Sequence, residues 1–486
     1  MSMTGRKKST FILVAGVAAA ALSLAGCGNE EAGAVTLRVC NWEEYIDEGG
    51  WEEDEVIELD DGTRILGSNS LVEEFEEWYL KTYGEEVKVE YSTFGTNEEL
   101  YNQLTIGDVY DLACPSEYMI MKMMREGMLV PYSDGFRETS GENNYYEKEV
   151  SPYIRSVFND LSIGGESLSE YAAGYMWGTL GIVYNPDEVA KEDAAHWDIL
   201  TNRDYYRRIT IKDSVRDTYF AATALNYSEE ITDEEFTGSL DYHDRLTEIL
   251  NRTDPDTVQA VEDILIAAKN NVYSFETDAG KADMVTGKVV ANVQWSGDAV
   301  YTLDQADEDD LMLCYSVPEE GTNLWFDGWV MLDKGIEEDT RKQRAAEAFV
   351  NFVSRPDNAV RNMYYIGYTS VISGGDSDII FNYLKYNYGS DEEEETVEYD
   401  DIGYFFESDS KEANERYTVI TTEDQTRRQL YAQYPPKSML ERAVVMDCFD
   451  DESNDRINRS WINVRCFDLK SLFGDIRQKP GNFIGD

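Results

Sequence analysis

Five short segments at the ends of apolar runs are rich in aromatic residues and carboxylates. They are Asn41–Tyr45, Pro115–Tyr118, Lys212–Asp217, Trp295–Asp298 and Trp325–Gly328. The faces of Trp and Tyr rings attract ammonium groups and cover methylene groups, and carboxylates accept charge-assisted hydrogen bonds. The segments therefore indicate a site for a flexible cation whose ammonium groups are separated by methylene chains.

Each of these residues taken alone also fits a structural role. Trp295 or Trp325 alone is typical of a hydrophobic core, and Asp217 beside Arg216 is typical of a surface ion pair. We expect Asp298 to cap the helix that follows it and Arg216 to be structural. The recurrence of the pattern at five places favours binding.

The composition excludes several classes of function. The chain has 486 residues, with 97 Asp and Glu against 42 Lys and Arg, and a formal net charge of −55. Such a charge repels phosphate backbones and anionic lipid headgroups, so nucleic-acid binding and electrostatic membrane binding are not expected. Because 42% of the residues are hydrophobic, the chain can fold, and its length predicts two or three domains. The acidic excess also fits a simple role in solubility.

The N-terminal segment has the features of an export signal. Three basic residues, Arg6 to Lys8, precede an uncharged apolar run from Phe11 to Leu24. This run is too short for a comfortable membrane-spanning helix, and it ends in Leu24-Ala25-Gly26-Cys27, which resembles the lipobox of bacterial lipoproteins. We predict a signal peptide over residues 1–26, lipid modification of Cys27 and a tether over 27–34, with an ordinary secretory signal as the alternative.

The sequence gives no indication of metal or nucleophilic chemistry. The five cysteines after Cys27 show no C-x-x-C spacing, and only two histidines are present, His196 and His243. Neither a disulfide framework nor a zinc site is supported, and neither histidine accompanies a Ser or Cys motif of nucleophilic catalysis. We therefore predict no metal, no cofactor and no enzymatic activity.

From Val35 onward, predicted strands alternate with predicted helices. The strands are expected at Val35–Val39, Val87–Tyr91, Tyr110–Cys114, Gly181–Tyr184, Ile209–Ile211, Val289–Val293 and Trp329–Met331. Helices are expected around Leu71–Tyr79, from Thr96 through Leu104, and over Ala345–Val353, which Pro356 terminates. A polar insertion covers 47–69, and the acidic tract 391–395 is expected to be a solvated loop. The alternation indicates an α/β fold with a mostly parallel sheet and ligands at the carboxyl ends of its strands.

In combination, the motifs resemble those of the spermidine/putrescine-binding proteins, the solute receptors of polyamine ABC transporters. The resemblance runs from Val35 to about Thr369. It rests on Asn41–Tyr45, on Tyr110–Leu112 with Pro115–Tyr118, on Trp177–Ile182 with Tyr184-Asn185, and on Lys212–Asp217, Trp295–Ala299, Trp325–Gly328 and Ile366–Thr369.

The resemblance implies a two-lobed periplasmic-binding-protein-like fold of type II, with the ligand in the cleft between lobes joined by crossing strands. Lobe 1 is expected to comprise residues 35–175 with about 316–370, and lobe 2 about 176–315 with about 371–486.

The resemblance also implies roles for individual residues. Aromatic walls or hydroxyl contacts are expected from Trp42, Tyr45, Tyr118, Trp295, Trp325 and Tyr368. Ammonium contacts are expected from Glu44, Asp217 and Asp327, and a polar contact from Ser116. Ser214 stands where the family pattern can carry a second acid, and we include it in the expected site. For the family's C-terminal glutamine contact, only Trp461–Asn463 is a candidate region.

The implied function is that of an exported, lipid-anchored, monomeric receptor that binds spermidine, putrescine or both and delivers them to an ABC transporter permease. Its only membrane contact would be the lipid anchor, on the extracellular or periplasmic face. Two alternatives remain open. The same fold could bind another solute, such as a sugar, an oxyanion or a metal ion. A secreted carbohydrate-active enzyme also fits, because glycosidase clefts likewise combine paired carboxylates with aromatic walls.

Overall fold

The computed structural model describes residues 33–52, 55–390 and 396–466. The predicted lipobox with Cys27 and the acidic tract 391–395 lie outside the described residues. The strands are β1 (Val35–Trp42), β2 (Ile57–Glu58), β3 (Arg64–Ile65), β4 (Val87–Phe94), β5 (Leu112–Ala113), β6 (Leu129–Val130), β7 (Ser162–Ile163), β8 (Glu166–Ser167), β9 (Ala172–Tyr184), β10 (Ile209–Lys212), β11 (Ser274–Glu276), β12 (Ala291–Trp295), β13 (Cys314–Ser316), β14 (Thr322–Leu332), β15 (Thr369–Ser370), β16 (Thr396–Tyr399), β17 (Val419–Thr422) and β18 (Ala443–Val444).

The α-helices lie between these strands in chain order. They are α1 (Leu71–Tyr83), α2 (Asn97–Ile106), α3 (Glu117–Arg125), α4 (Tyr145–Glu149), α5 (Pro152–Asp160), α6 (Leu168–Tyr171), α7 (Lys191–Ala194), α8 (Val215–Asn226), α9 (Ser228–Ile231), α10 (Glu234–Thr237), α11 (Tyr242–Leu250), α12 (Pro255–Asn271), α13 (Ala279–Val285), α14 (Ser296–Glu308), α15 (Asp333–Ile336), α16 (Thr340–Val353), α17 (Pro356–Ile366), α18 (Ile379–Tyr388), α19 (Gly403–Phe406), α20 (Lys411–Arg416), α21 (Gln429–Gln433), α22 (Lys437–Leu440) and α23 (Asp451–Arg465).

Local sequence signals set the ends of the first helices. Ser70 and Glu73 form the predicted capping box of α1, and Gly84 ends that helix in the left-handed conformation at φ 67°. Thr96 accepts a hydrogen bond from the Glu99 amide at the start of α2. The strand predicted over Tyr110–Cys114 is shorter than expected, because only Leu112 and Ala113 pair within the sheet.

The main sheet runs through the whole molecule in the order β11-β10-β12-β9-β14-β5-β1-β4. Its two long central strands, β9 and β14, are antiparallel to each other and buried along their whole length. The parallel pairs β1–β4 and β1–β5 lie on one side of them, and the parallel pairs β10–β11 and β10–β12 lie on the other. The α/β class is therefore confirmed, and the central pair has the arrangement expected of crossing strands. The expectation of a mostly parallel sheet is wrong: the sheet is mixed, because β9 and β14 pair antiparallel with each other and with β12, β13, β15, β5 and β6.

The C-terminal segment, residues 396–466, contacts both halves of the sheet. Tyr404 of α19 packs edge-on against Tyr153 of α5, with 5.1 Å between ring centroids. The Gln429 amide of α21 donates a 2.9 Å hydrogen bond to Asp307 in α14. This segment therefore connects helices on the two sides of the crossing strands.

The polar insertion after Tyr45 packs against α17. The buried Asp47 carboxylate lies 2.6 Å from an Arg361 guanidinium nitrogen, and the Trp51 ring packs on Tyr364 with 4.6 Å between centroids. Strands β2 and β3 form a short hairpin within the insertion. Because α17 ends at Gly367, immediately before Tyr368, the insertion braces the helix that leads into one of the predicted site residues.

Within the described residues, no helix is both long and apolar enough to cross a membrane. The same part of the chain holds no group of three or more His, Cys, Asp or Glu side chains arranged to bind a metal ion.

Candidate functional site

Asp327 lies at the centre of the predicted site. Its two carboxylate oxygens accept hydrogen bonds from the Tyr45 hydroxyl and from the Ser116 hydroxyl, each at 2.7 Å. Tyr45 follows β1, Ser116 follows β5, and Asp327 lies in β14, so three strands of one half of the sheet bring these groups together. Each donor is uncharged, and among the described residues the carboxylate has no ion-pair partner.

Aromatic rings extend the site away from Asp327. The Tyr368 ring meets Tyr45 edge-on at 5.3 Å and lies 5.6 Å from the Trp325 ring. The close approach of Tyr368 requires Gly297, because a Cβ there would lie 2.2 Å from the Tyr368 ring. Trp325 is itself buried, so both the packing role and the binding role predicted for it remain compatible with its position.

The contacts among Tyr45, Ser116, Trp325, Asp327 and Tyr368 form a network. This network continues into the other half of the sheet through Asp298. The Tyr368 hydroxyl donates a 3.0 Å hydrogen bond to Asp298, and the Lys212 ammonium lies 2.9 Å from the second oxygen of that carboxylate. Lys281 also pairs with Asp298, at 3.4 Å. The expectation that Asp298 caps a helix is wrong, because its carboxylate is used by two lysines and a tyrosine while α14 begins without a side-chain cap.

Asp217 forms the far end of the network. Its carboxylate accepts a 2.6 Å hydrogen bond from Ser214, which also caps α8, and a further one from Trp295. Lys212 lies 4.3 Å from the centre of the Trp295 ring and so links this end to Asp298. The alternative of a surface ion pair between Asp217 and Arg216 is wrong, because both residues are buried and the Arg216 guanidinium donates to the Asp447 carbonyl instead.

Tyr118 joins the site through Asn97. The Asn97 amide donates 3.0 Å hydrogen bonds to the hydroxyls of both Ser116 and Tyr118, and Arg216 lies 4.8 Å from the Tyr118 ring centre. Arg216 also packs over the Phe449 ring at 3.9 Å. These contacts agree with the structural role expected of Arg216.

Two predicted site residues do not join this network of contacts. Trp42 packs on Phe94 with 4.6 Å between centroids, at the end of β1. Glu44 is exposed and has a left-handed backbone with φ 54°. The structure therefore brings together nine of the expected residues, Tyr45, Ser116, Tyr118, Ser214, Asp217, Trp295, Trp325, Asp327 and Tyr368, and leaves these two outside the network.

The C-terminal region considered for a glutamine contact also lies elsewhere. Trp461 packs edge-on against Phe275 at 5.3 Å, and Asn463 donates to Glu262. Instead, the side-chain amide of Gln433 donates a 3.1 Å hydrogen bond to the Gly367 carbonyl, next to Tyr368. No local signal singles out Gln433, because its position depends on the packing of α21.

Lys212, Lys281 and Asn97 are further members of the network to which the motifs did not assign a role. Lys212 closes the apolar strand β10, and a charged residue ending a buried strand is a signal that could have identified it. Asn97 reads as an ordinary first residue of α2, so its contacts depend on the tertiary fold.

Burial raises the pKa values of several acids here. It raises the pKa of Asp327 to about 6, although the hydrogen bonds from Ser116 and Tyr45 act in the opposite direction. Burial also raises the pKa of Asp217, and it raises the pKa of the neighbouring Glu117 to about 8. Burial opposes ionisation of Asp298 as well, but the charges of Lys212 and Lys281 outweigh it and lower the pKa of that group. Asp298 is thus the acid whose charge the protein itself neutralises.

The crossing strands join two α/β halves, and the network of contacts around Asp327, Asp298 and Asp217 connects them. Residues 70–377 match the bacterial extracellular solute-binding protein family, and the chain belongs to that family.

Curated relatives and solved structures agree with this assignment. The spermidine/putrescine-binding periplasmic protein of Salmonella typhimurium is 26% identical over 366 residues, which is 75% of this chain and 84% of the relative. The putrescine-binding periplasmic protein of Escherichia coli is 25% identical over 357 residues, which is 71% of this chain and 80% of the relative. The spermidine/putrescine ABC transporter substrate-binding protein of Streptococcus pneumoniae superposes with a TM-score of 0.55 at 24% identity, over 89% of this chain and 99% of that one. The expected two-lobed solute-binding fold is therefore confirmed.

Proposed function

We propose that this protein is a receptor that binds spermidine, putrescine or both in the cleft between its lobes. The observation that carries the proposal is the environment of Asp327, a buried carboxylate that receives only neutral donors beside the Tyr45, Trp325 and Tyr368 rings. An alkylammonium group would supply the missing positive charge, and its methylene chain would lie against the rings. The similarity to spermidine/putrescine-binding periplasmic proteins supports the same ligand class.

The receptor class favours binding without turnover. A glycosidase needs one carboxylate to act as acid and another as base or nucleophile across a scissile bond. Here Asp298 is neutralised by two lysines, and the family is one of solute receptors. We infer that the protein is not an enzyme and that it delivers its solute to an ABC transporter permease.

Calorimetric titration with spermidine and putrescine tests the proposed ligand. We expect saturable binding of at least one of them, with one ligand per chain. Parallel titrations with a neutral disaccharide and with ferric iron, and a screen for glycoside hydrolysis, test the alternatives. Binding of the sugar or the metal without binding of either polyamine would contradict the proposal.

We further propose that the protein is exported and held at the membrane by a lipid on Cys27. The lipobox at Leu24–Cys27 supports this proposal. Stable anchoring requires two or more fatty chains, because a single chain binds membranes only marginally. The Cys27→Ala variant should move from the membrane to the soluble fraction on cell fractionation, and its retention on membranes would show a different anchor.

A further inference from the structure

Lys212 places a positive charge of the protein itself inside the proposed cleft. Its ammonium group bonds the Asp298 carboxylate at 2.9 Å and the Thr277 carbonyl at 2.8 Å, and it lies 4.3 Å from the centre of the Trp295 ring. The side chain is only 2% exposed, so water screens its charge poorly. Lys212 therefore already occupies the kind of position, between a carboxylate and a tryptophan face, that a ligand ammonium would take.

The three acids of the network differ in the charge of their partners. Asp327 accepts hydrogen bonds from Tyr45 and Ser116, and Asp217 accepts them from Ser214 and Trp295, all of which are neutral donors. Asp298 instead pairs with Lys212 and Lys281. Two carboxylates therefore lack an ion-pair partner within the network, Asp327 in the crossing strand β14 and Asp217 in α8, while the third already has two.

The basic residues also limit the total charge that the site can accept. Lys212 and Lys281 both pair with Asp298, so that carboxylate is already occupied by positive charges of the protein. A ligand ammonium without a free carboxylate would remain desolvated and unpaired.

We infer that the ligand of this cleft is a diamine, whose two ammonium groups pair with Asp327 and Asp217, and that Lys212 excludes a third ammonium group. This inference rests on the proposed function and deepens it. Putrescine has two amino groups and spermidine has three. Spermidine would have to place its third charge near the Lys212 ammonium, and like charges in a dry site repel strongly. Lys212 is therefore the residue that sets the preference between the two amines.

Titration of the wild-type protein and of Lys212→Met with both amines tests the inference. Methionine has a similar length and no charge, and Asp298 keeps its contacts with Lys281 and Tyr368 in the variant. We expect the wild type to bind putrescine at least about tenfold more tightly than spermidine, since close like charges cost several kcal/mol. Lys212→Met removes the charge that repels a third ammonium and leaves Asp298 with one lysine partner, so spermidine affinity should rise at least about tenfold relative to putrescine affinity.

Lys288→Met is the matched control. Lys288 has the same kinds of partner, an aspartate at 2.9 Å and a tyrosine ring at 4.6 Å, but it is exposed and contacts no member of the network. Its removal should leave the ratio of the two affinities unchanged. Thermal unfolding of each variant reports whether it is folded, and the wild-type ratio tests the inference even if Lys212→Met does not fold.

The outcomes separate the two proposals. If the wild type binds neither amine, the proposed function fails, and this inference fails with it. If the wild type binds both amines equally, or binds spermidine more tightly, the inference is overturned while the proposed function stands. An unchanged affinity ratio in a folded Lys212→Met variant would likewise overturn the role of Lys212.

Discussion

At the scale of single residues, the site depends on carboxylates that are buried and differently paired. Asp327 has only hydroxyl donors, whereas Asp298 has two ammonium partners. Burial makes the first acid costly to ionise without a ligand, and the lysines make the second easy to ionise. A cationic ligand would therefore gain more from Asp327 than from Asp298.

Asp327→Asn should weaken polyamine binding by well over tenfold while the protein stays folded. The loss of the carboxylate leaves a ligand ammonium desolvated and unpaired, which typically costs ~2–5 kcal/mol of binding free energy. The measurement is spermidine and putrescine affinity at two salt concentrations. Asp134→Asn is the control, because it makes the same change of charge at a side chain that is 94% exposed. Equal affinity of Asp327→Asn and the wild type would remove Asp327 from the site.

The raised pKa of Asp327 predicts a dependence of binding on pH. Below its pKa of about 6 the carboxyl is protonated and no longer pairs with an ammonium. Polyamine affinity should therefore fall as the pH drops from 7 to 5, and the fall should be smaller in Asp327→Asn. An identical pH profile for the two proteins would show that this group does not titrate in the ligand-free site.

The raised pKa of Asp327 also predicts how the stability of the ligand-free protein depends on pH, and this trend is opposite to that of binding. An acid whose pKa is higher in the folded than in the unfolded chain stabilises the fold at low pH, and this contribution is lost as the pH rises through the folded value. Relative to Asp327→Asn, the wild type should become less stable between about pH 4, the ordinary value for Asp, and about pH 6. Chemical denaturation at several pH values measures the difference, which should be on the order of 2–3 kcal/mol. A constant difference would contradict the assigned pKa.

At the scale of elements, the insertion after Tyr45 braces α17. Besides its ion pair with Asp47, Arg361 donates to the Asn69 carbonyl and pairs with Glu74, so the beginning and the end of the insertion are both fixed to one helix. The Asp47 amide also donates to the Asn362 side chain at 2.9 Å. The sequence indicated only a polar stretch here, since the α17 partners of Asp47, Arg361 and Asn362, lie more than three hundred residues away.

Asp47→Asn should destabilise the protein by ~1.5–3 kcal/mol, because it removes one of the two carboxylates that pair with the buried Arg361 guanidinium, while Glu74 remains. Urea denaturation measures this change in the free energy of unfolding. Glu58→Gln in the same insertion is the control, since its partner Arg64 is 3.9 Å away and both side chains are more than half exposed. That variant should lose less than ~1 kcal/mol. Similar losses in the two variants would contradict a bracing role for Asp47.

At the scale of the whole molecule, the C-terminal segment links both sides of the cleft. Arg125 of α3 donates to the Phe449 carbonyl at 3.1 Å, and Arg216 of α8 donates to the Asp447 carbonyl at 2.6 Å. We propose that the lobes predicted from the sequence, residues 35–175 with about 316–370 and about 176–315 with about 371–486, rotate about the crossing strands. The described structure, with its site buried, then corresponds to the closed state.

A polyamine should make the protein more compact, because its charges need carboxylates from both lobes. Small-angle scattering should show a smaller radius of gyration at saturating ligand. The Cys448 thiol gives a second measurement, since it lies between the two carbonyls held by Arg125 and Arg216, and a polyamine should slow its alkylation. The exposed Cys466 is the internal control, and its rate should not change. An unchanged scattering profile and an unchanged Cys448 rate would contradict closure.

Local patterns in the sequence predict several parts of this protein. Ser70, Glu73 and Gly84 mark the ends of α1 by contacts within a few residues, and alternating apolar runs mark β1 and β4. The recurring aromatic and acidic motifs contain eight members of the network, and the family resemblance adds Tyr368. The motifs also indicated the ligand class that we propose, because those residue types define the chemistry wherever they meet.

The pairing of the residues in the site depends on the three-dimensional packing of the chain. Asp298 reads as a helix cap in the sequence, yet the fold places Lys212, Lys281 and Tyr368 around it. Glu44 belongs to the clearest motif, yet the turn after β1 leaves it exposed. The physical reason is distance along the chain. The contacts of Asp327 with Ser116 and Tyr45 span 211 and 282 residues, and such contacts are set by the packing of strands and helices rather than by neighbouring residues.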